Sequence, residues 1–532
     1  MSSKVLLPVL LIASACFGTL LAFSGAPGVE DEWTWGRVQG GMELLWPLLV
    51  ILFWGGGIAG LTAFALKAKD WGLRIGLSAV LAFCTALGPY LIQDNLTGPY
   101  GHTGAVWVVY YPRFSGYFSA AITDDRTTQQ WLAAYDDEIT EGDFLHQGTH
   151  PPGMILLFRT LDSLLTSQPW LEDLIDSSLT RSARDGFEVL TVPGTQSLPE
   201  VRHEQALIWS YLLLLHGCSF VLVLSVAGIG WLLSNQSGQQ RWNESLRLGV
   251  LSAMLPGLVL FFPKSDVLFA AFSSLMALCW IAAIQKRSFL FAFLAGTVAF
   301  GGMFCSLAFV PVIAMLGSYW LFPLVLGSKQ SLTVSKPALW KVAAGALMPL
   351  VLGILLLAWF DHNLLKTWYY NYQNHSEFYD HNSRSYFHWL LINLSELILA
   401  LGLPVCVLGA HQLWQTMKPL WNQKSPFPRS AHTFWLLSVW GIWALLWLSG
   451  KNMGEAARLW CLFLPLLLST LRFSGPKATT EELGEELAIE EQSTSQFSPP
   501  LFWATYCCQL LLLILTLLCV DGFHFDQLLS NQ

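Results

Sequence analysis

Apolar runs of roughly 17–25 residues, the length that crosses a bilayer as a helix, recur along this chain from one end to the other. They predict spans near 5–23, 42–65, 75–93, 205–233, 247–262, 266–284, 289–307, 308–326, 340–360, 389–410, 433–449, 458–472 and 499–520. That makes about thirteen, in a range of about eleven to thirteen. A barrel would show short alternating segments instead. The pattern therefore predicts an all-α polytopic membrane protein. The first run, Val5 to Phe23, follows Lys4 and has the place of a signal peptide. It is longer than a usual signal core, so it reads as an uncleaved anchor.

Composition agrees. Of 532 residues, 54% are hydrophobic, 12% are charged and 25 are Trp, which no soluble domain of this size combines. The net charge of −8 owes much to one segment, "EELGEELAIEE" (Glu481 to Glu491). That run reads as a solvated loop, with partner docking as the alternative. The ten cysteines lie mostly inside apolar runs and show neither metal spacing nor a disulfide framework.

Lysine and arginine set the sidedness. With the N-terminus inside, the inner connections hold Lys67, Lys69, Arg74, Arg241, Arg247, Lys286, Arg287, Lys418 and Arg472, while the short outer ones hold only Arg37, Lys264, Lys451 and Arg458. The bias predicts N-inside and C-outside. The chain then divides into N-terminal helices (1–93), an outer loop with juxtamembrane helices (94–204), a transmembrane bundle (205–472), an acidic cytoplasmic linker (473–498) and a last helix with an outer tail (499–532).

On this layout the unusual residues share one side. "ITDDR", "THPPG", "FFPKSD", "WYYNYQNHSEFYDHNSRSYFHW" and "SGKNMGEAARLW" all fall outside, as do nine of twelve His. After Asp124 and Asp125 the spacing suits an amphipathic helix, with Trp131, Leu132 and Tyr135 on one face and Arg126, Gln129 and Gln130 on the other. Either aspartate could cap that helix. Either could instead act as a general base on an acceptor hydroxyl, and a paired acid raises affinity for one proton or a divalent cation. Asp136, Asp137, Glu138, Glu141 and Asp143 read as surface charges. "LHQGTHPPG" ends an extended approach and starts a short helix, broken by Arg159 and Asp162 and lying in the interface. His150 is either a cap at that helix start or a donor aimed into a cleft.

Arg458 and Lys451 flank Glu455 at the outer end of a span. Arg458 reads as a phosphate contact or as the salt-bridge partner of Glu455. Lys264, beside Asp266, is a second phosphate candidate, with a plain turn between spans as the other reading. The segment from Trp368 to His388 is rich in aromatics and amides, which suit sugars and equally an interfacial belt. His375, His381 and His388, with Asp361 and Asp380, show no diagnostic metal spacing.

An Asp-containing stretch, then Tyr, then Gly and an aromatic, then His-Pro-Pro, resembles the first outer loop of GT-C glycosyltransferases. It is closest to the family 39 type, which includes protein O-mannosyltransferases and the aminoarabinose transferases of lipid A. The residues in place are Asp124, Tyr135, Gly142, Phe144, His150, Pro151 and Pro152. Asp125 replaces the family's Glu, and Gly153-Met154 stands where Leu-Gly would be. "SGKNMGEAARLWCLFLP" resembles a late outer loop of bacterial arabinosyl- or mannosyltransferase-like relatives. The resemblance implies a GT-C fold and an inverting transfer of a sugar from a polyprenyl-monophosphate donor to a glycan, lipid or protein acceptor. The expected place is a bacterial inner membrane, with the site facing the periplasm. It implies Asp124, or its neighbour Asp125, as general base, with Arg126, Tyr135, His146, His150, Lys264, Asp266, Lys451, Glu455 and Arg458 around donor and acceptor. No nucleic acid is implied, and no cofactor beyond the divalent cation that the acid pair would suit. A lipid-linked polysaccharide polymerase or ligase is the nearer rival, and a transporter or flippase the more distant one.

Overall fold

The structure is a computed structural model that describes residues 3–24, 27–38, 44–141, 147–190, 198–325, 336–382, 384–422, 430–473 and 497–525. Gly142, Asp143, Phe144, His146 and the acidic run Glu481 to Glu491 lie outside the described residues.

The described residues are helical nearly throughout, with four two-residue strands among them. It opens with α1 (Ser3–Ser24), α2 (Leu45–Lys67) and α3 (Trp71–Asn95). Short helices follow: α4 (His102–Tyr110), α5 (Tyr117–Ile122), α6 (Thr128–Glu138), α7 (Gly153–Ser167), α8 (Pro169–Ser177) and α9 (Arg181–Leu190). The bundle continues with α10 (Leu198–Leu233), α11 (Gly238–Ser252), α12 (Pro256–Leu260), α13 (Ser265–Lys286), α14 (Phe289–Cys305), α15 (Phe309–Val325) and α16 (Lys336–Trp359). Then come α17 (Leu364–His381), α18 (Tyr386–Leu401), α19 (Leu403–Asn422), α20 (Ala431–Leu448), α21 (Ala456–Leu459), α22 (Leu464–Leu468) and α23 (Pro499–Cys519).

Among the described residues, eight helices are long and apolar enough to cross a membrane: α1, α2, α3, α10, α13, α16, α20 and α23. The count is nine when α18 and α19, bent by 112° at their junction, are taken as one broken span. The polytopic, all-helical class is as the apolar pattern predicts; the number is smaller than thirteen. The run 247–262 splits at Leu255, which is extended (ψ 110°) because Pro256 follows it. The run 458–472 folds as α21, a 3₁₀ turn and α22, with Trp460 to Leu468 at most 2% exposed. Its hydropathy serves the protein interior rather than lipid, a distinction that hydropathy cannot make. The runs 289–307 and 308–326 become 17-residue helices, each about 26 Å long.

The α18–α19 break has a clear physical cause. Gly402 sits at φ +91°, where a Cβ would meet the Gln509 side chain at 2.2 Å. Gln509 Nε2 donates to the Leu401 and Met254 carbonyls at 2.8 and 3.1 Å. Backbone groups freed at the bend are thus satisfied by protein, as a low-dielectric interior demands.

Two polar ends close the bundle. At one, Arg472 pairs with Glu244 (3.2 Å), Arg247 donates to the Phe473 carbonyl (2.9 Å) and Gln239 donates to the Leu66 carbonyl (3.2 Å). At the other, short strands at Gly36–Arg37 and Val520–Asp521 pair, and Glu32 accepts from Trp389 Nε1 (2.6 Å). The 36-residue α10 joins the two ends, spanning about 54 Å. Residues assigned to inner connections gather at the first end. The Asp124 loop, the His-Pro-Pro segment and the 450s turn gather at the second.

Candidate functional site

The site is built on α5, α6 and α7. Thr127 caps α6: its hydroxyl accepts from Gln130 N (3.3 Å), and the Gln130 side chain accepts from Thr127 N (3.0 Å). This reciprocal box satisfies two free amides at once. It corrects the expectation that Asp124 or Asp125 caps the helix. Trp131, Leu132 and Tyr135 are buried as the amphipathic pattern predicts.

Relieved of capping, Asp124 does something else. Its carboxylate accepts from Arg126 N (3.0 Å), Nε (3.0 Å) and Nη2 (2.5 Å). Arg159 reaches it from α7 at 3.6 Å and donates to the Asp124 and Arg126 carbonyls at 3.0 and 2.8 Å. The hydrogen bonds from Arg126, outweighing partial desolvation, hold the Asp124 carboxyl down to about 2. Arg126 also pairs with Glu138 (2.6 Å). Asp125, by contrast, is exposed.

α7 runs unbroken through Arg159 and Asp162, against the expectation of a broken helix. The two charges are docking points. Arg159 stacks over Trp131 (5.1 Å) and grips the Asp124 loop, while Asp162 meets His203 of α10 (2.8 Å). Gly153 opens α7 where a Cβ would strike the Phe304 carbonyl at 2.5 Å. The close approach of α7 to α14 is the physical reason for glycine there.

The His-Pro-Pro segment is held by backbone clamps. Tyr135 donates its hydroxyl to the His150 carbonyl (2.6 Å). Asn371 donates to the Gly148 carbonyl (2.8 Å), and Asn374 to the Gly148 and Ile139 carbonyls (2.8 and 3.0 Å). The His150 ring lies edge-on to Tyr117 (5.9 Å between centroids), with Nδ1 2.9 Å from Thr149 Oγ1. Asp136, expected as a surface charge, is buried. It accepts from Asn363 N (2.9 Å) and Thr367 Oγ1 (2.5 Å) and so pins the start of α17.

α17 is the element that reading the sequence missed. Thr367, Asn371 and Asn374 recur at i, i+4 and i+7, one helix face; all three are buried. That spacing was the available signal.

A second group lies at the other end of α5. Arg458 Nη2 pairs with Glu455 (2.6 Å), the structural alternative foreseen for it, and its Nε lies 3.8 Å from Asp266. Lys264 donates to the Phe114 carbonyl. Burial, with Arg458 beside it, pushes the Lys264 ammonium down to about 7. Tyr117, the first residue of α5, lies beside Ser265 of this group. Lys451 lies apart, over the Tyr372 ring (5.4 Å). Tyr117 and Asp124 stand seven residues apart, one at the start of α5 and the other just beyond its end. Among the described residues no three His, Cys, Asp or Glu gather as a metal site.

Comparisons with family models, with curated proteins and with solved structures give no match for this chain.

Proposed function

We propose that this chain is an integral-membrane glycosyltransferase of GT-C type, moving a sugar from a polyprenyl-monophosphate donor to an acceptor on the outer face, with Asp124 as the general base. One observation carries the reading. Residues scattered from 117 to 458 converge on the two ends of α5: Asp124, Arg126 and Arg159 at one, Lys264, Asp266, Glu455 and Arg458 at the other, where the His150 ring lies against Tyr117. A site for a phosphate-linked sugar needs cations for the phosphate and a carboxylate for the acceptor hydroxyl, some ångströms apart.

The ion pairs make a chemical demand. A carboxylate held near 2 is a weak base. Arg126 is about 38% exposed at the side chain, so a lipid phosphate can compete for it. Drawing the guanidinium away raises the basicity of Asp124 when donor is bound. Arg458 meets the same competition from Glu455.

The deciding experiment is to incubate membranes carrying this chain with radiolabelled polyprenyl-phosphate sugars. Transfer is expected with wild type and not with Asp124→Asn. If no labelled donor yields product, the reading is wrong. A transporter is the second reading, favoured by the broken α18–α19 pair. Its weakness is that transporters place such breaks in two matching halves.

A further inference from the structure

α18 turns Trp389, Asn393 and Glu396 to one face, spaced i, i+4 and i+7. All three are buried, at 0, 2 and 0% exposure. Each makes one bond. Trp389 Nε1 donates to Glu32, Asn393 Nδ2 donates to the Asn452 carbonyl (2.8 Å), and Glu396 accepts from Ala457 N (2.8 Å). The remaining polar atoms are unsatisfied. Asn393 Oδ1 and Glu396 Oε1 have no hydrogen-bond partner, nor do Arg458 Nε, Arg384 Nε and Trp35 Nε1 on the facing segments. The Trp35 indole faces Glu396 without a well-formed bond.

Five of the sixteen such buried atoms among the described residues thus gather around one turn, 450–458. Gly454 of that turn has Arg384 and Trp389 side-chain atoms within 3.8 Å of its Cβ position. Native interiors leave few polar atoms unpaired, and an unpaired carboxylate oxygen is among the costliest. Arg458 Nε looks to Asp266 (3.8 Å) and Trp35 Nε1 to Glu396, so Asn393 Oδ1, Arg384 Nε and the imperfect Glu396–Trp35 pair are left for a partner that both gives and takes hydrogen bonds, which is what a hydroxyl does. The surroundings are aromatic: Trp33 lies 4.2 Å from Trp35, edge to face, and 6.3 Å from Trp389. Ring faces beside unpaired hydroxyl partners suit a pyranose or furanose, whose C–H faces are apolar and whose rim is polar. The segment 27–38 roofs this place, pinned by Glu32 to Ser385 N (3.0 Å) and Trp389.

We infer that the face of α18 bearing Asn393 and Glu396, with Trp35 above and the 450–458 turn beside it, is a recess that binds the hydroxyl groups of a sugar. Glu396 is its main acceptor. The identity of that sugar as part of a lipid-linked donor rests on the proposed function; the recess itself does not.

The test uses the full chain in detergent, with free mannose, glucose, galactose and arabinose followed by saturation-transfer NMR. At least one is expected to bind wild type, and to bind Glu396→Gln and Trp35→Phe about tenfold or more weakly, as loss of a hydrogen bond to a charged or buried partner predicts. Trp35→Phe keeps an aromatic ring while removing the N–H together with the pyrrole part of the indole, and it is the second variant should Glu396→Gln not fold. No binding by wild type, or equal binding by the variants, overturns the proposal and leaves the recess to water. A lipid arm separates reading a sugar from positioning Arg458. Sugar-free polyprenyl phosphate should bind wild type and Glu396→Gln equally. If it weakens as much as the sugar-bearing lipid, Glu396 only positions the turn. Glu396-dependent sugar binding without any transfer from polyprenyl-phosphate sugars would instead defeat the glycosyltransferase reading and spare the recess.

Discussion

Asp124 and Asp125 are neighbours with different lives. Asp124 is gripped by two arginines; Asp125 is exposed. The sequence alone does not choose between them, and the family resemblance favours the first. Asp124→Asn should leave the protein inserted and lower transfer by about 10²–10⁴-fold, the usual worth of a general base. Asp125→Asn measured alongside should be near normal. The reverse result places the base one residue later, and normal turnover in both removes it from the pair.

Arg458 invites a similar separation. Arg458→Ala should weaken binding of the lipid phosphate, because charge-assisted contacts are roughly twice as strong as neutral ones. Glu455→Gln should strengthen that binding, since it frees the guanidinium. If both variants lose thermal stability and leave donor affinity alone, the pair is structural.

Lys264 gives a pH test. Its folded pKa, about 7, lies below the unfolded value of roughly 10.4. The folded state therefore releases its proton first, and the unfolded state binds more protons between those values. Stability should rise with pH across that window, and the penalty is complete below about pH 7. Lys264→Met should flatten this rise in thermal-unfolding scans; an unchanged slope would place the lysine in water.

At the scale of elements, α17 is the clamp. Its Asn371 and Asn374 supply the donors that hold the Ile139, Gly148 and His150 carbonyls. Asn371→Ala strands the Gly148 and His150 carbonyls in part, at a cost of about 1–3 kcal/mol. The Asn371→Ala, Asn374→Ala pair should be non-additive, because both bond Gly148. Denaturant or thermal midpoints of the four proteins would show it, and additive losses would mean the two asparagines act separately. The short helices α5 to α9 were readable only in part. The stripe Trp131, Leu132, Tyr135 marks α6, yet its cap falls on Thr127, because a hydroxyl and a glutamine at the right spacing outcompete a nearby aspartate that has arginine partners.

At the scale of the whole molecule, the two polar ends can be assigned to sides. In a background lacking other reactive thiols, cysteine at Thr127 should react with an impermeant reagent from outside intact cells, and cysteine at Ser425 should not. The opposite pattern would invert every outer-face assignment. The apolar segments around Val250, Phe261 and Leu466 are wrapped by protein, and hydropathy does not separate them from spans because burial in protein and burial in lipid demand the same residues.

The sequence by itself determined the solvent of this fold. Long apolar runs, with charges mostly in or near their connections though Glu396 lies inside one, read as helices packed across a bilayer, where a helix satisfies its own backbone. It also determined which side chains sit at one end, because lysine and arginine placement follows the chain directly. Tertiary structure alone decided who meets whom. Arg159 on Asp124, Asp266 near Arg458, Asn371 under His150 and Glu396 beneath Trp35 are contacts between residues tens to hundreds of positions apart. Such pairings carry no local signal, because they depend on how helices cross and where glycines such as Gly153 and Gly402 let backbones approach or turn.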